Sequence, residues 1–202
     1  MDLSNFRIPR LPDDIIRQHA DEFRNIYWSK KIPVDVELIA EKAGIDLVPI
    51  PALRFICNLE ACISNNSKTI YYDPSANEFR LRFSISHELG HHKMHAKELQ
   101  LMNPVSYEDW HRIIEEIPTH TFNSFEYQAN EFAGRLLVPI EALRDSFKEV
   151  KDELLFMKEF IYNDYYLAYN FIAKDLSKIF NISEDAMLIR LGRERENPYE
   201  YI

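Results

Sequence analysis

Apolar positions near the start of the chain recur at helical spacing. Ile16, Ala20, Phe23 and Tyr27 follow Asp13 and Asp14, which predicts a helix with an aspartate at its N-cap and one buried stripe. A second helix is predicted through VDVELIAEKAG (residues 34–44), with Gly44 as its C-terminal cap. From Ile45 the period shortens. LRFICNLEACISNNSKTIYYDP (53–74) reads as short strands of a small antiparallel sheet, with the clearest turn at Asn65, Asn66 and Ser67. A long helix follows from about Asn77 to His95. Residues 96–123 read as a connector with one short helix opened by Ser106, able to wall a cleft. A third strong helix is predicted from Ser124 to just before Pro139, and the chain from Ile140 to about Gly192 reads as helical throughout.

These elements predict a mainly helical α+β fold with a small, mostly antiparallel sheet. Only four glycines among 202 residues, with abundant helix formers, favour the same class. No repeat or flexible linker divides the chain. By the character of its elements it separates into a core over residues 1–139 and a helical C-terminal subdomain over 140–202, packed on that core.

The balance of 33 acidic against 24 basic residues, net −9, opposes binding to nucleic acid or anionic membranes unless a local basic patch intervenes. The most apolar window, residues 154–173, is interrupted by Lys158, Glu159, Asn163 and Asp164, so it predicts a buried amphipathic helix rather than a membrane span. The first residues lack the apolar core of a secretory signal, which predicts a cytoplasmic protein. Cys57 and Cys62 lack the spacing and second pair of a zinc site and read as reduced core thiols.

The densest chemistry lies in FSISHELGHHKMH, from Phe83 to His95. At about 100° and 1.5 Å per residue, His87 and His91 project from one helix face about 40° apart, the geometry of a two-histidine metal clamp. His92 falls about 140° from His87, in the core-facing stripe of Leu81, Ile85 and Leu89. His95 lies about 12 Å along the axis from His87, too far to share an ion with it, and is expected to face solvent or to support the site from outside. Glu88 is turned away from direct ligation and overhangs the open side of such a metal, where a general base belongs. HELGH (87–91) thus combines two imidazoles for an ion with a carboxylate to take a proton from water. Gly90, lacking a side chain, would let another segment approach closely.

A catalytic zinc site needs a third protein ligand and one open position. An extended motif with Gly and His downstream is excluded, because Met94 and Lys97 occupy those places. FEYQANEFAGRLLVP offers Glu126 and Glu131. On one helix Glu126 shares a face with Ala129, Asn130 and Ala133, whereas Glu131 lies about 140° away. Small alanines permit close packing on the histidine helix, placing Glu126 at the metal and Asn130 at a ligand imidazole's second nitrogen.

These residues resemble those of the ImmA/IrrE family of zinc metallopeptidases, within the gluzincin group. The resemblance is carried by IPVDVELIAEKAGIDLV, TIYYDPSANEFRLRFSISHELGHHKMH and EYQANEFAGRLLVP, and more weakly by LSKIFNISEDAMLIRLGR. It implies a zincin-like domain in a cytoplasmic endopeptidase that cuts a helix-turn-helix transcriptional repressor encoded nearby in a phage, mobile-element or stress-response locus. It also implies Zn2+ held by His87, His91 and Glu126, with Glu88 as the catalytic glutamate and Asn130 as the polar residue four positions after the third ligand. The long connector before Glu126 and the aromatic-rich helices after Pro139 depart from the family pattern. The expected mechanism has a peptide extended along an exposed sheet edge between Arg54 and Tyr72. His111, His120 and several tyrosines are candidates for stabilising the oxyanion, with none selected.

Two other functions fit parts of the sequence. The chain could keep its zinc site yet act without cleavage, as an antirepressor or a toxin–antitoxin partner. Its C-terminal LSKIFNISEDAMLIRLGRER also resembles a helix-turn-helix with Arg190, Arg193 and Arg195, although Glu184 and Asp185 stand at the start of the would-be recognition helix and oppose DNA.

Overall fold

The computed structural model describes residues 3, 5–160 and 165–202. They form a mainly helical α+β protein whose chain divides into two compact units, one of Met1–Ser29 with Asp35–Leu136 and the other of Lys30–Val34 with Leu137–Ile202.

The first unit opens with α1 (Asp13–Tyr27), whose Ile16, Ala20 and Phe23 are buried. Neither aspartate is its N-cap: Pro12 holds that position, and Asp13 and Asp14 lie in the first turn, where negative charge complements the helix dipole. Helix α2 (Val36–Lys42) is capped by the Asp35 carboxylate, which accepts from the Leu38 N–H. Gly44, at φ +71°, supplies the left-handed turn into strand β1 (Asp46–Pro49).

Strands are fewer than the pattern predicts. Leu53–Cys57 forms a short helix, α3, which buries Leu53 and Cys57 one turn apart and leaves Phe55 and Ile56 exposed. A five-residue apolar run fits either period, and the left-handed Ala52 before it sets a helical start here. Strands β2 (Ala61–Ile63) and β3 (Thr69–Tyr72) complete a sheet of order β1-β3-β2. The sheet is mixed, with one parallel and one antiparallel pairing. β3 pairs in parallel with β1, Asp46 opposite Thr69, and antiparallel with β2, Cys62 opposite Tyr71. The intervening α3 and β2 provide the crossover that parallel pairing requires.

Helix α4 (Glu78–Met94) starts at Asn77, whose side chain accepts from the Arg80 N–H. The connector holds two helices, α5 (Ala96–Met102) and α6 (Asp109–Glu116). Ser106 caps neither; its N–H and that of Val105 both donate to the Asp109 carboxylate. Helix α7 (Thr119–Leu137) begins five residues before the expected Ser124, because the Pro118 carbonyl receives the N–H groups of Thr121 and Phe122. Ser124 accepts from Gln128 within the helix instead. Phe125, Ala129, Phe132, Ala133 and Leu136 of α7 are fully buried. Burial of each phenylalanine stabilises by about 1.5–3 kcal/mol.

The second unit contains α8 (Ile140–Ser146), a 3₁₀ turn at Phe147–Val150, α9 (Lys151–Phe160), α10 (Tyr165–Phe180) and α11 (Glu184–Glu194). Helix α11 is capped by Ser183, whose hydroxyl accepts from the Ala186 N–H. The helix expected to run on through residues 161–164 reaches there outside the described residues. Among the described residues no helix is long and apolar enough to cross a membrane.

Candidate metal centre

Helices α4 and α7 run past one another in opposite senses. His87 meets Asn130, and His91, one turn later, meets Glu126, one turn earlier. Gly90 makes this approach possible, since a Cβ there would stand 3.0 Å from Phe132 Cδ1.

The structure brings His87, His91 and Glu126 to one point. His91 Nε2 lies 3.0 Å from His87 Nε2, His87 Nε2 lies 3.3 Å from Glu126 Oε2, and His91 Nε2 lies 3.4 Å from Glu126 Oε1. Bonds of about 2.1 Å to a tetrahedral ion separate its ligand atoms by about 3.4 Å. The two imidazole nitrogens and the Glu126 carboxylate, one oxygen toward each ring, thus stand at separations close to those between the corners of such a tetrahedron, and a two-imidazole, one-carboxylate set suits zinc. Among the described residues these three form the one group of His, Cys, Asp or Glu side chains close enough to share an ion.

The charges of this cluster are arranged without a metal. Burial opposes a charge on His87, but Glu126, with help from Glu88 and Asn130, outweighs it and raises the pKa to about 9. Burial lowers His91 to about 4. Burial also opposes charge on Glu126, yet the two imidazoles hold its carboxyl below the ordinary range. The metal-free cluster is thus a His87 cation between an ionised Glu126 and a neutral His91.

Glu88 is buried, and its carboxylate receives the backbone N–H of Ile63 on β2. Burial, reinforced by the charge of Glu126, raises its pKa to about 7, while His87 and the Ile63 N–H pull the other way. A carboxyl poised near neutrality can both take and return a proton.

The remaining histidines separate. His92 is half-buried, its Nδ1 3.0 Å from the Ser67 carbonyl and its ring edge-on to Phe23. His95 does not face solvent: it is 2% exposed, at the junction of α4 and α5, with its Nδ1 2.9 Å from His91 Nδ1. Of the two places expected for His95, support of the site from outside is the one this contact fits, through His91 one helical turn away. Glu131, the other glutamate of its segment, is buried and paired with Arg135.

A cavity of about 260 Å³ opens onto the cluster, bounded by residues 58–62 on one side and by Trp110, Ile114 and Phe122 on another. These aromatic and aliphatic walls come from the connector and the first turn of α7, whose part in the site only the cleft-wall expectation anticipated. Neither His111 nor His120 lines this cavity, and among the described residues no tyrosine does. Cys62 does line it, as a free thiol that burial keeps protonated. The sheet edge at Ile63 is already engaged, its N–H by Glu88 and its carbonyl by the Trp110 indole at 3.0 Å.

In the second unit Arg190 is buried. Its Nε and Nη2 donate to the Val138 carbonyl and its Nη1 pairs with Glu194.

A small mixed sheet beside a helix carrying HELGH, with a glutamate from a second helix at the same point, defines a metallopeptidase-like class of protein. Residues 40–191 match the IrrE N-terminal-like domain, and the chain belongs to that family of peptidases. No curated protein matches the chain. Among solved structures it is similar to a Mycobacterium tuberculosis transcriptional regulator, with a TM-score of 0.54 and 13% sequence identity over 89% of this chain. The chain spans 47% of that protein's length, and the likeness concerns the fold.

Proposed function

We propose that this protein is a zinc-dependent endopeptidase, with His87, His91 and Glu126 as the metal ligands and Glu88 as general base. The observation that carries this reading is the set of 3.0–3.4 Å separations among the donor groups of the three side chains, beside a buried carboxyl raised toward neutrality. When bound, zinc would polarise the scissile carbonyl and acidify water. Glu88 takes the proton of the attacking water and returns it to the leaving amine. Its hydrogen bond from Ile63 keeps the carboxylate aimed into the cavity. Asn130 accepts from His87 Nδ1–H at 2.9 Å, so that Nε2 presents its lone pair to the ion.

The substrate is a protein segment in extended form. Because Ile63 is engaged, β2 offers Ala61, two residues earlier and of the same outward orientation, as the place for main-chain pairing. A helix-turn-helix repressor in the cytoplasm is the proposed substrate, on the strength of the family membership. DNA binding through α11 is disfavoured, since Arg190 is spent on Val138 and Glu194.

The test is to incubate the zinc-loaded protein with a helix-turn-helix repressor encoded beside it and analyse the products by mass spectrometry. One defined cut supports the proposal. A tight complex with the repressor left whole would instead assign an antirepressor or antitoxin-like role.

A further inference from the structure

Behind His91 runs a chain of hydrogen bonds that starts at a group with only one role. A peptide carbonyl can only accept, and the Pro9 carbonyl lies 3.1 Å from Gln128 Nε2. The Gln128 amide must therefore point its NH2 at Pro9, and Ser124 Oγ, 3.2 Å from the same nitrogen, can accept its second hydrogen. This leaves Gln128 Oε1, an acceptor, facing His95 Nε2 at 3.4 Å. His95 Nε2 must carry the hydrogen, so His95 Nδ1 is bare in the neutral ring. A bare Nδ1 at 2.9 Å from His91 Nδ1 can only accept, so the hydrogen of His91 sits on Nδ1 and its Nε2 lone pair is free. His91 Nε2 is the atom that meets His87 and Glu126.

We propose that His95 is a positioning residue for the metal site, which with Gln128 anchored on the Pro9 carbonyl fixes the tautomer and ring orientation of His91 so that Nε2 faces the ion. This rests on the reading of His87, His91 and Glu126 as ligands. The three side chains of this relay are shielded from water, which would otherwise supply either a donor or an acceptor and erase its direction: His91 and His95 are each 2% exposed and Gln128 is fully buried. Phe125 holds both rings in place, stacked on His91 at 3.8 Å between centroids and tilted against His95 at 4.6 Å. His95 and Gln128 thus divide the work that a carboxylate or carbonyl behind a metal-bound histidine ordinarily performs alone. The N-terminal segment takes part through a single backbone carbonyl.

The experiment measures zinc dissociation constants by competition with a chromophoric chelator, using the full chain. His95→Phe keeps a ring beside Phe125 but removes the acceptor, and is expected to weaken zinc about 10–100-fold. His95→Gln retains an acceptor for His91 and a donor for Gln128, and is expected to recover most of that loss. Gln128→Leu, which leaves both imidazoles in place, is expected to weaken zinc several-fold and serves if His95→Phe does not fold. Circular dichroism of the metal-free proteins checks the fold. Zinc binding within about twofold of the wild type in His95→Phe, or in Gln128→Leu where that variant stands in, would overturn the proposal. So would equal losses in His95→Phe and His95→Gln, because packing rather than hydrogen bonding would then be responsible. A wild-type chain that binds no zinc would sink the ligand assignment itself, a different result from a zinc-binding wild type matched by its variants.

Discussion

Gly90 lies against Phe132, so that a Cβ added to the glycine would stand 3.0 Å from Phe132 Cδ1 and 3.2 Å from Phe132 Cβ. Phe132 is fully buried and packs edge-on to Phe23 at 5.8 Å, which leaves it little room to retreat. Gly90→Ala gains about 1 kcal/mol of helix propensity. Overpacking costs about 1–3 kcal/mol, so the clash wins. The expected outcome is a metal-free protein less stable by about 1 kcal/mol, seen as a lower urea midpoint at unchanged slope. Because the same contact spaces α4 from α7, zinc binding should weaken too.

The His87 proton gives zinc binding a pH dependence. With a pKa of about 9 in the metal-free protein, His87 is charged at neutral pH, whereas a ligand imidazole must be neutral. Zinc binding near pH 7 should release about one proton from this group, and apparent affinity should rise with pH until about 9. Calorimetry in buffers of different ionisation enthalpy measures the release. In the metal-free protein this group's contribution to stability should run the opposite way. Its His87 pKa lies above the ordinary 6.5, so this group's contribution to stability is full below pH 6.5 and is lost as pH rises through about 9.

The site was legible where it is local, and less so where it depends on partners distant in sequence. HELGH places His87, Glu88 and His91 by helix geometry alone, and the face shared by Glu126, Ala129, Asn130 and Ala133 follows from the same arithmetic. What escaped is non-local. The parallel pairing of β1 with β3 leaves no mark in either strand, and LRFIC fits a helical turn as well as a strand. Helix spacing left His95 between solvent and support of the site, because its orientation is set by Gln128, 33 positions away, as well as by His91. Trp110 and Gln128 act through Ile63 and Pro9, which lie 47 and 119 positions away.

Arg190 provides a test in the second unit. Two of its nitrogens serve the Val138 carbonyl and a third serves Glu194, with both side chains almost wholly buried. Arg190→Met should cost about 3–5 kcal/mol, because it strands a buried carboxylate and a carbonyl. The denaturation midpoint measures it. A change within about 0.5 kcal/mol, the range of ordinary surface substitutions, would contradict a structural role for Arg190.

The most direct measurement takes zinc content and peptide cleavage on the same preparations of the wild type and of Glu88→Gln. Glu88 stands beside the three ligands without joining them. One zinc per chain is predicted in both proteins, with cleavage lowered by about 10²–10⁴ in Glu88→Gln. No zinc in the wild type, or equal cleavage by the two, would contradict the account.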